Sequence, residues 1–284
     1  MKFKFVVLLA ATLSIAACKK EKQGTEKEET TKTDPNNNPD PNTVPDTFTK
    51  RVVVEKFTGE WCGYCPGGNK EMKRINDIYG DQMILVDLHG GDPMETTHTN
   101  YLSNGSMRYN VQYYPSAVID RKKSNDYTDG SPSWEADIDA SVNQTAKLGI
   151  RLQTEIDDNG LLDIKAKVVS NEAISSAYIT LYLVEDNVPQ SSPNAQADYT
   201  GDAGPNYIHQ HVLRRVLTSS PHGEALNIAE ARVEYLKEYN DIDISAYNSA
   251  NLKVVAIVED YVFNQNLQSY NAKQVAVGES TDWN

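Results

Sequence analysis

The chain has little cysteine, little positive charge and no long apolar run, and each shortage excludes something. Three cysteines in 284 residues are too few for a disulfide-scaffolded secreted fold or a four-cysteine zinc site. Lysine and arginine number 27 against 40 aspartates and glutamates, a net charge of −13. That surface argues against nucleic acid as a partner and against electrostatic adhesion to anionic lipid. No stretch is long and apolar enough for a membrane-spanning helix. With five histidines in all, neither a metal nor an organic cofactor is expected.

What is present starts with Lys2 and Lys4, followed by an apolar run over residues 5–17 broken only by Thr12 and Ser14. The run is too short to span a bilayer and fits a signal peptide, residues 1–17. It ends "SIAAC", which resembles a lipobox. The resemblance implies cleavage before Cys18 and a lipid anchor on that residue; the alternative is ordinary cleavage near Ala16, leaving Cys18 a free thiol. Residues 18–49 carry this cysteine and then a polar stretch rich in Pro, Asn, Thr and charge. It has too little apolar surface to fold and is expected to be a disordered tether. Its mean reach is about 30 Å, and about 100 Å when stretched.

The next segment, residues 50–147, runs strand, CxxC, helix, strand, helix, strand, helix. "RVVVEKFTG" and "QMILVDLHG" read as buried strands. Residues 69–81 place Met72, Ile75 and Ile78 at helical spacing before Gly80. A weak helical region lies near residues 96–109, and "SAVID" is a strand led by a proline. Residues 131–144 form a helix, with Ser133 as cap, Glu135 and Asp137 at its positive end, and Trp134, Ile138 and Val142 every four residues. From residue 148 the texture becomes alternating. Ile150, Leu152 and Ile156 turn at "DNG" into Leu162, Ile164, Ala166 and Val168, a hairpin pattern. Further strands are expected at residues 177–186, 208–218, 250–260 and 272–278. Residues 226–240 suit either a helix or a strand with a long loop, and the strand is preferred.

The pair Cys62 and Cys65 lies in "GEWCGYCPGG". With the strand ahead, Trp61 before the first cysteine and "YYPSAVID" some fifty residues on, the segment resembles the thioredoxin superfamily. The Gly-Tyr between the cysteines is closer to periplasmic disulfide isomerases. The resemblance implies an α/β thioredoxin-like domain with catalytic Cys62 and Cys65. It also implies a substrate-binding wall of Trp61, Tyr114 and Pro115, with a cis bond at Tyr114–Pro115. A cysteine at a helix N-terminus meets unpaired N–H groups and the positive dipole end, which favour its thiolate and make Cys62 the nucleophile. Cys65 then resolves the mixed disulfide. Many thioredoxins carry a buried acid six residues ahead of the first cysteine. Lys56 stands there, beside Glu55, and alternation sends the two to opposite faces; both are candidates for a proton relay. Competing readings are a Cys62/Cys65/His89 metal cluster and a purely structural disulfide. His209 and His211, with His222, form a weaker metal candidate.

Residues 148–284 are expected to form an all-β immunoglobulin-like sandwich domain. The lipobox, tether, "EKFTGEWCGYCP", "YYPSAVID", "HQHVLRRVLT" and "NLKVVAIVED" together resemble a lipoprotein family of Bacteroidetes-type bacteria named for a twenty-eight-kilodalton outer-membrane protein. The resemblance covers nearly all of residues 51–277. It implies outer-membrane attachment, facing periplasm or cell surface. Family members are described variously as adhesins and as thiol oxidoreductases. Two functions follow as expectations. The first is a tethered thiol–disulfide oxidoreductase or isomerase whose partners are exported protein thiols and disulfides and an unidentified redox partner. The second is a non-enzymatic surface adhesin or ligand-binding lipoprotein with a vestigial CxxC.

Overall fold

The computed structural model describes residues 43–104, 108–122, 124–126, 133–260 and 268–284. The expected signal peptide, Cys18, residues 19–42 of the tether, residues 105–107 of the expected second helix and residues 131–132 of the expected third lie outside the described residues.

The first part of the chain builds β1 (Val52–Thr58), α1 (Cys65–Tyr79), β2 (Met83–His89), α2 (Thr97–Ser103), β3 (Ser116–Ile119), β4 (Ser124–Asp126) and α3 (Ser133–Val142). Every residue of β1 and β2 is buried, as suits parallel strands covered on both faces. They pair in parallel from Val52 opposite Met83 to Thr58 opposite His89. α1 buries Met72 and Ile75 and starts at Cys65 rather than residue 69, because Pro66 is pre-shaped for the first helical turn. It stops at Gly80, whose φ of +56° disfavours any side chain.

The second part builds β5 (Leu148–Ile156), β6 (Leu161–Ser170), β7 (Ala177–Glu185), β8 (Val188–Pro189), β9 (Ile208–His209), β10 (Val212–Val216), β11 (Glu224–Ala225), β12 (Glu234–Asp243), β13 (Leu252–Asp260) and β14 (Gln268–Ala276). β5 and β6 form the expected hairpin. The ambiguous 226–240 span is resolved as the strand β12, paired with β6. Its Tyr235, Tyr239 and Ile242 pack on the core, while Glu234, Leu236 and Glu238 at the alternate positions are exposed.

The expected fold class is corrected by how these strands assemble. The chain does not build an α/β thioredoxin-like domain followed by a separate immunoglobulin-like sandwich. Among the described residues it is mostly β, 41% strand and 17% helix, and strands from both parts enter one nine-stranded mixed sheet. The order is β14-β13-β7-β10-β2-β1-β3-β4, with β11 beside β7. The join lies at β2 and β10, where the Asp87 N–H donates to the His211 carbonyl at 2.7 Å and Val212 registers parallel to Asp87. A buried strand edge must find partners for its backbone groups, and β10 supplies them to β2. Alternation reveals which face of a strand is buried; it does not reveal which strand lies beside it.

One apolar layer therefore runs across both parts. Val53, Phe57, Val86 and Leu88 share it with Tyr182, Val184, Val255 and Ile257. On the opposite face, α1 and α3 cover β1 to β3. There too, the small sheet β12-β6-β5 covers β7 and β13.

Within the shared layer sits a buried ionic node. Arg121 bonds Glu55 at 3.2 Å and also reaches Glu259, which Arg108 holds at 2.5 Å; all four side chains are fully buried. Tyr109 and Tyr182 donate to the two Glu55 oxygens at 2.6 and 2.7 Å. Burial alone would raise the Glu55 carboxyl, but Arg121 and the tyrosine hydrogen bonds hold it below the ordinary carboxylate range. The node ties β1 to β7 and β13, strands far apart in sequence.

Candidate functional site

β1 delivers the motif. After Thr58 the chain leaves the sheet, turns with the Cys62 N–H on the Gly59 carbonyl at 3.0 Å and the Cys65 N–H on the Cys62 carbonyl at 3.1 Å, and enters α1. Cys62 and Cys65 are joined as a disulfide, with Cα atoms 5.4 Å apart. Cys65 is fully buried and Cys62 is 4% exposed.

The wall expected from the sequence forms around this pair. Trp61 is 56% exposed, stacks on Tyr114 with ring centroids 5.4 Å apart, and donates its indole N–H to the Gly90 carbonyl at 2.7 Å. The Tyr114–Pro115 bond is cis. Pro115 sits so close to α1 that a Cβ at Gly68 would meet its Cγ at 2.7 Å. A glycine at that helical position is what lets the proline approach.

The two relay candidates separate. Glu55 lies on the face away from α1 and is consumed by the ionic node, so the structure withdraws it from the site. Lys56 lies on the α1 face, with its ammonium on Asp87 at 2.7 Å and on the Asn69 side-chain oxygen at 2.5 Å. Asn69 and Cys65 are four residues apart and share one helix face, so Lys56 sits one turn from the second cysteine. A cleft of about 440 Å³ lined by Lys56, Pro66, Asn69 and Asp87 opens beside it.

A second polar cluster lies beside the first cysteine, around Glu60. His89 donates from Nδ1 to Asp92 at 2.7 Å, and Asp92 also accepts the Glu60 N–H at 2.9 Å. His209 packs edge-on against His89, with centroids 4.8 Å apart, and its Nε2 lies 3.7 Å from Glu60, beyond hydrogen-bond reach. Burial first, then the neighbouring His89, push His209 down to about 3.

The histidine metal readings dissolve. Residue 211 takes φ +57° and breaks the expected 208–218 strand in two. His211 turns to Asp186 at 3.1 Å, and His222 bonds Tyr101 and Arg108. His89 is engaged with Asp92, and both cysteines are in the disulfide. No group of three side chains able to hold a metal occurs among the described residues.

One contributor escaped the sequence reading. Residues 190–207, the loop between β8 and β9, lie across the motif. The Ala197 N–H donates to the Glu60 carbonyl at 2.6 Å and the Tyr199 N–H to the Gly63 carbonyl at 2.7 Å. The Gln196 amide donates to the Cys62 carbonyl at 3.1 Å. Its polar, Pro- and Gly-containing sequence announces a loop, but nothing in it names the landing place.

Fold and site define a mostly β protein that carries a strand-to-helix CxxC disulfide under a loop from its other half. Residues 103–281 match the family described as "Outer membrane protein Omp28", and the chain belongs to that family. It is accordingly an outer-membrane protein. The matched span begins after both cysteines, so family membership does not bear on their chemistry. The chain is similar to a solved structure of HBP35 of Porphyromonas gingivalis, at 23% identity over 81% of this chain and 76% of that one, with a TM-score of 0.67; this likeness concerns the fold alone. It also aligns with a domain of the outer membrane lipoprotein Omp28 from Porphyromonas gingivalis, at 20% identity over 47% of this chain and 89% of that one, with a TM-score of 0.30. No curated protein matches the chain.

Proposed function

We propose that this protein is a thiol–disulfide oxidoreductase of the cell envelope, acting on exported proteins through Cys62 and Cys65. The observation that carries the reading is the disulfide at the start of α1, walled by Trp61 and by Tyr114–Pro115. The reading draws on the resemblance of these local parts to the thioredoxin superfamily, although the sheet around them is not a thioredoxin-like domain.

In the reducing direction the Cys62 thiolate attacks one sulfur of a substrate disulfide. A bond forms between Cys62 and the substrate, and the other substrate sulfur leaves as a thiolate and takes a proton. Cys65 then attacks the Cys62 sulfur, releases the second substrate thiol and re-forms the Cys62–Cys65 bond. Substrate is reduced, the dithiol is oxidised, and a redox partner must restore it; oxidation of substrate runs the same steps backwards. The positive end of the α1 dipole favours the Cys62 thiolate. The Lys56 ammonium, one turn from Cys65, favours ionisation of the resolving thiol. A lipid anchor at Cys18 and a tether over residues 19–49 belong to the same proposal. They hold the site at the membrane yet let it reach partners.

The test is turnover in solution. The reduced protein should cleave the disulfide of an unfolded polypeptide, and Cys62→Ala should abolish this. Equal activity of wild type and Cys62→Ala would refute the reading. The adhesin alternative keeps one observation in its favour: both cysteines are buried beneath the 190–207 loop, as in a structural disulfide.

A further inference from the structure

That loop is built as a unit. β8 and β9 pair at its neck, Val188 opposite His209 and Pro189 opposite Ile208. Inside it, the Gln190 amide donates to the Pro205 carbonyl at 2.6 Å and the Gln196 N–H to the Gln190 side-chain oxygen at 2.8 Å. Asp198 gathers the N–H groups of Thr200, Gly201 and Ala203, each at 2.9 Å.

Its grip on the motif is different in kind. Besides the three bonds to the Glu60, Cys62 and Gly63 carbonyls, Ser191 donates its N–H and hydroxyl to the Glu60 carboxylate at 2.6 and 2.5 Å. Asp202 meets the exposed Lys70 at 2.7 Å. The apolar contribution is small. Tyr199 rests on Gly63, where any Cβ would overlap its ring, and on the edge of Tyr64 at 5.5 Å, yet Tyr199 remains 73% exposed. The Asn69 amide also donates to the Tyr207 hydroxyl at 2.8 Å; a segment held by polar contacts with little buried apolar area opens below the cost of global unfolding.

The spacing of the donors identifies what could replace it. Ala197 and Tyr199 are two residues apart, the period at which an extended chain presents backbone N–H groups to one side. The Glu60 and Gly63 carbonyls flank Cys62 and accept from this pair.

We infer that residues 190–207 are a gate standing in for substrate: the loop fills the backbone register that an extended polypeptide takes beside Cys62, and it must lift before exchange. This rests on the exchange reading above and names its substrate class as unfolded, extended chains. It also accounts for an oxidised pair with almost no exposure. Folded proteins, which cannot offer an extended segment, are refused at the gate.

The test uses the folded chain with its disulfide intact. Dithiothreitol reduces the pair to two thiols and is itself oxidised to a cyclic disulfide. The wild-type rate should reach a plateau as dithiothreitol rises, because loop opening becomes limiting. The double variant Gln196→Ala/Tyr199→Ala loses a hydrogen bond and a ring contact, and should be reduced about tenfold faster. Should that variant fold poorly, the wild type still decides: alkylated insulin B chain, an extended peptide without free thiols, should speed amide exchange at Ala197 and Tyr199. A folded double variant with wild-type rates, a wild-type rate linear in dithiothreitol, or exchange unmoved by the peptide would each overturn the gate. These readouts report access alone. Loss of polypeptide turnover with the plateau and the peptide effect intact would instead sink the exchange reading.

Discussion

Glu55 and Lys56 are neighbours in sequence, and the two faces of β1 put them to different uses. On one face Glu55 joins Arg121, Arg108 and Glu259 in a node where both Glu55 oxygens and both Glu259 oxygens are paired. On the other, Lys56 pairs with one oxygen of Asp87 while the second finds no hydrogen-bond partner among the described residues, and a cleft opens alongside. The first arrangement holds strands from distant parts of the chain in one sheet. The second leaves a buried ion pair at the wall of a cleft, one helical turn from a sulfur. A buried network whose carboxylate oxygens are all paired serves architecture, although the Nε atoms of Arg108 and Arg121 find no partner among the described residues; a buried pair with a spare carboxylate oxygen at a cleft can serve chemistry.

The hardest way to break this comparison is at the node. Glu259→Gln removes the shared counter-charge of Arg108 and Arg121 and should cost about 3–5 kcal/mol of stability in urea unfolding. Exchange rates in the surviving folded fraction should not change. Lys56→Met should cost less, about 1–3 kcal/mol, because Asp87 borders the cleft and water can reach it. Its larger effect should be on chemistry: alkylation of Cys65 in the reduced protein should shift to higher pH, whereas Glu55→Gln should leave that profile in place. A Glu55 variant that moves the profile as much as the Lys56 variant would erase the distinction between the faces.

A smaller effect comes from acid. His209 is held down to about 3 and His222 to about 4, in both cases chiefly by burial. The folded values lie below the unfolded value of about 6.5, so the unfolded chain binds the proton first. Their contribution to stability is complete above about pH 6.5 and is lost progressively as pH falls toward those folded values. Urea midpoints should therefore decline through that window, and His209→Gln should flatten the decline.

Much of the site was legible in the sequence. Trp61, the cysteine pair, Tyr114 and Pro115 come together because local rules place them: β-branched residues make β1, Pro66 starts α1 and a Tyr-Pro leads β3. The period-two pattern also gave the β5–β6 hairpin and the opposite orientations of Glu55 and Lys56. What escaped was relational. Alternation in β10 could not say that Val212 would lie beside Asp87, so one mixed sheet was read as two separate folds. The partners of Glu55 lie up to 127 residues away, and only their meeting shows that it belongs to the node. His209 and His211 suggested a metal pair until the backbone reversal at residue 211 sent them apart. The loop over Cys62 is held by backbone donors and by the side chains of Ser191, Gln196 and Asp202, whose spacing carries no sequence signature.

The central claim is that Cys62 attacks and Cys65 resolves. It is tested most directly in cells by Cys65→Ala, which leaves the attacking thiol without its resolving partner. Envelope extracts from that strain should contain mixed disulfides between this protein and exported proteins, seen as high-mass bands that collapse on reduction and vanish in Cys62→Ala/Cys65→Ala. A Cys65→Ala strain without such bands, with the protein folded and at its normal level in the outer membrane, would contradict the account.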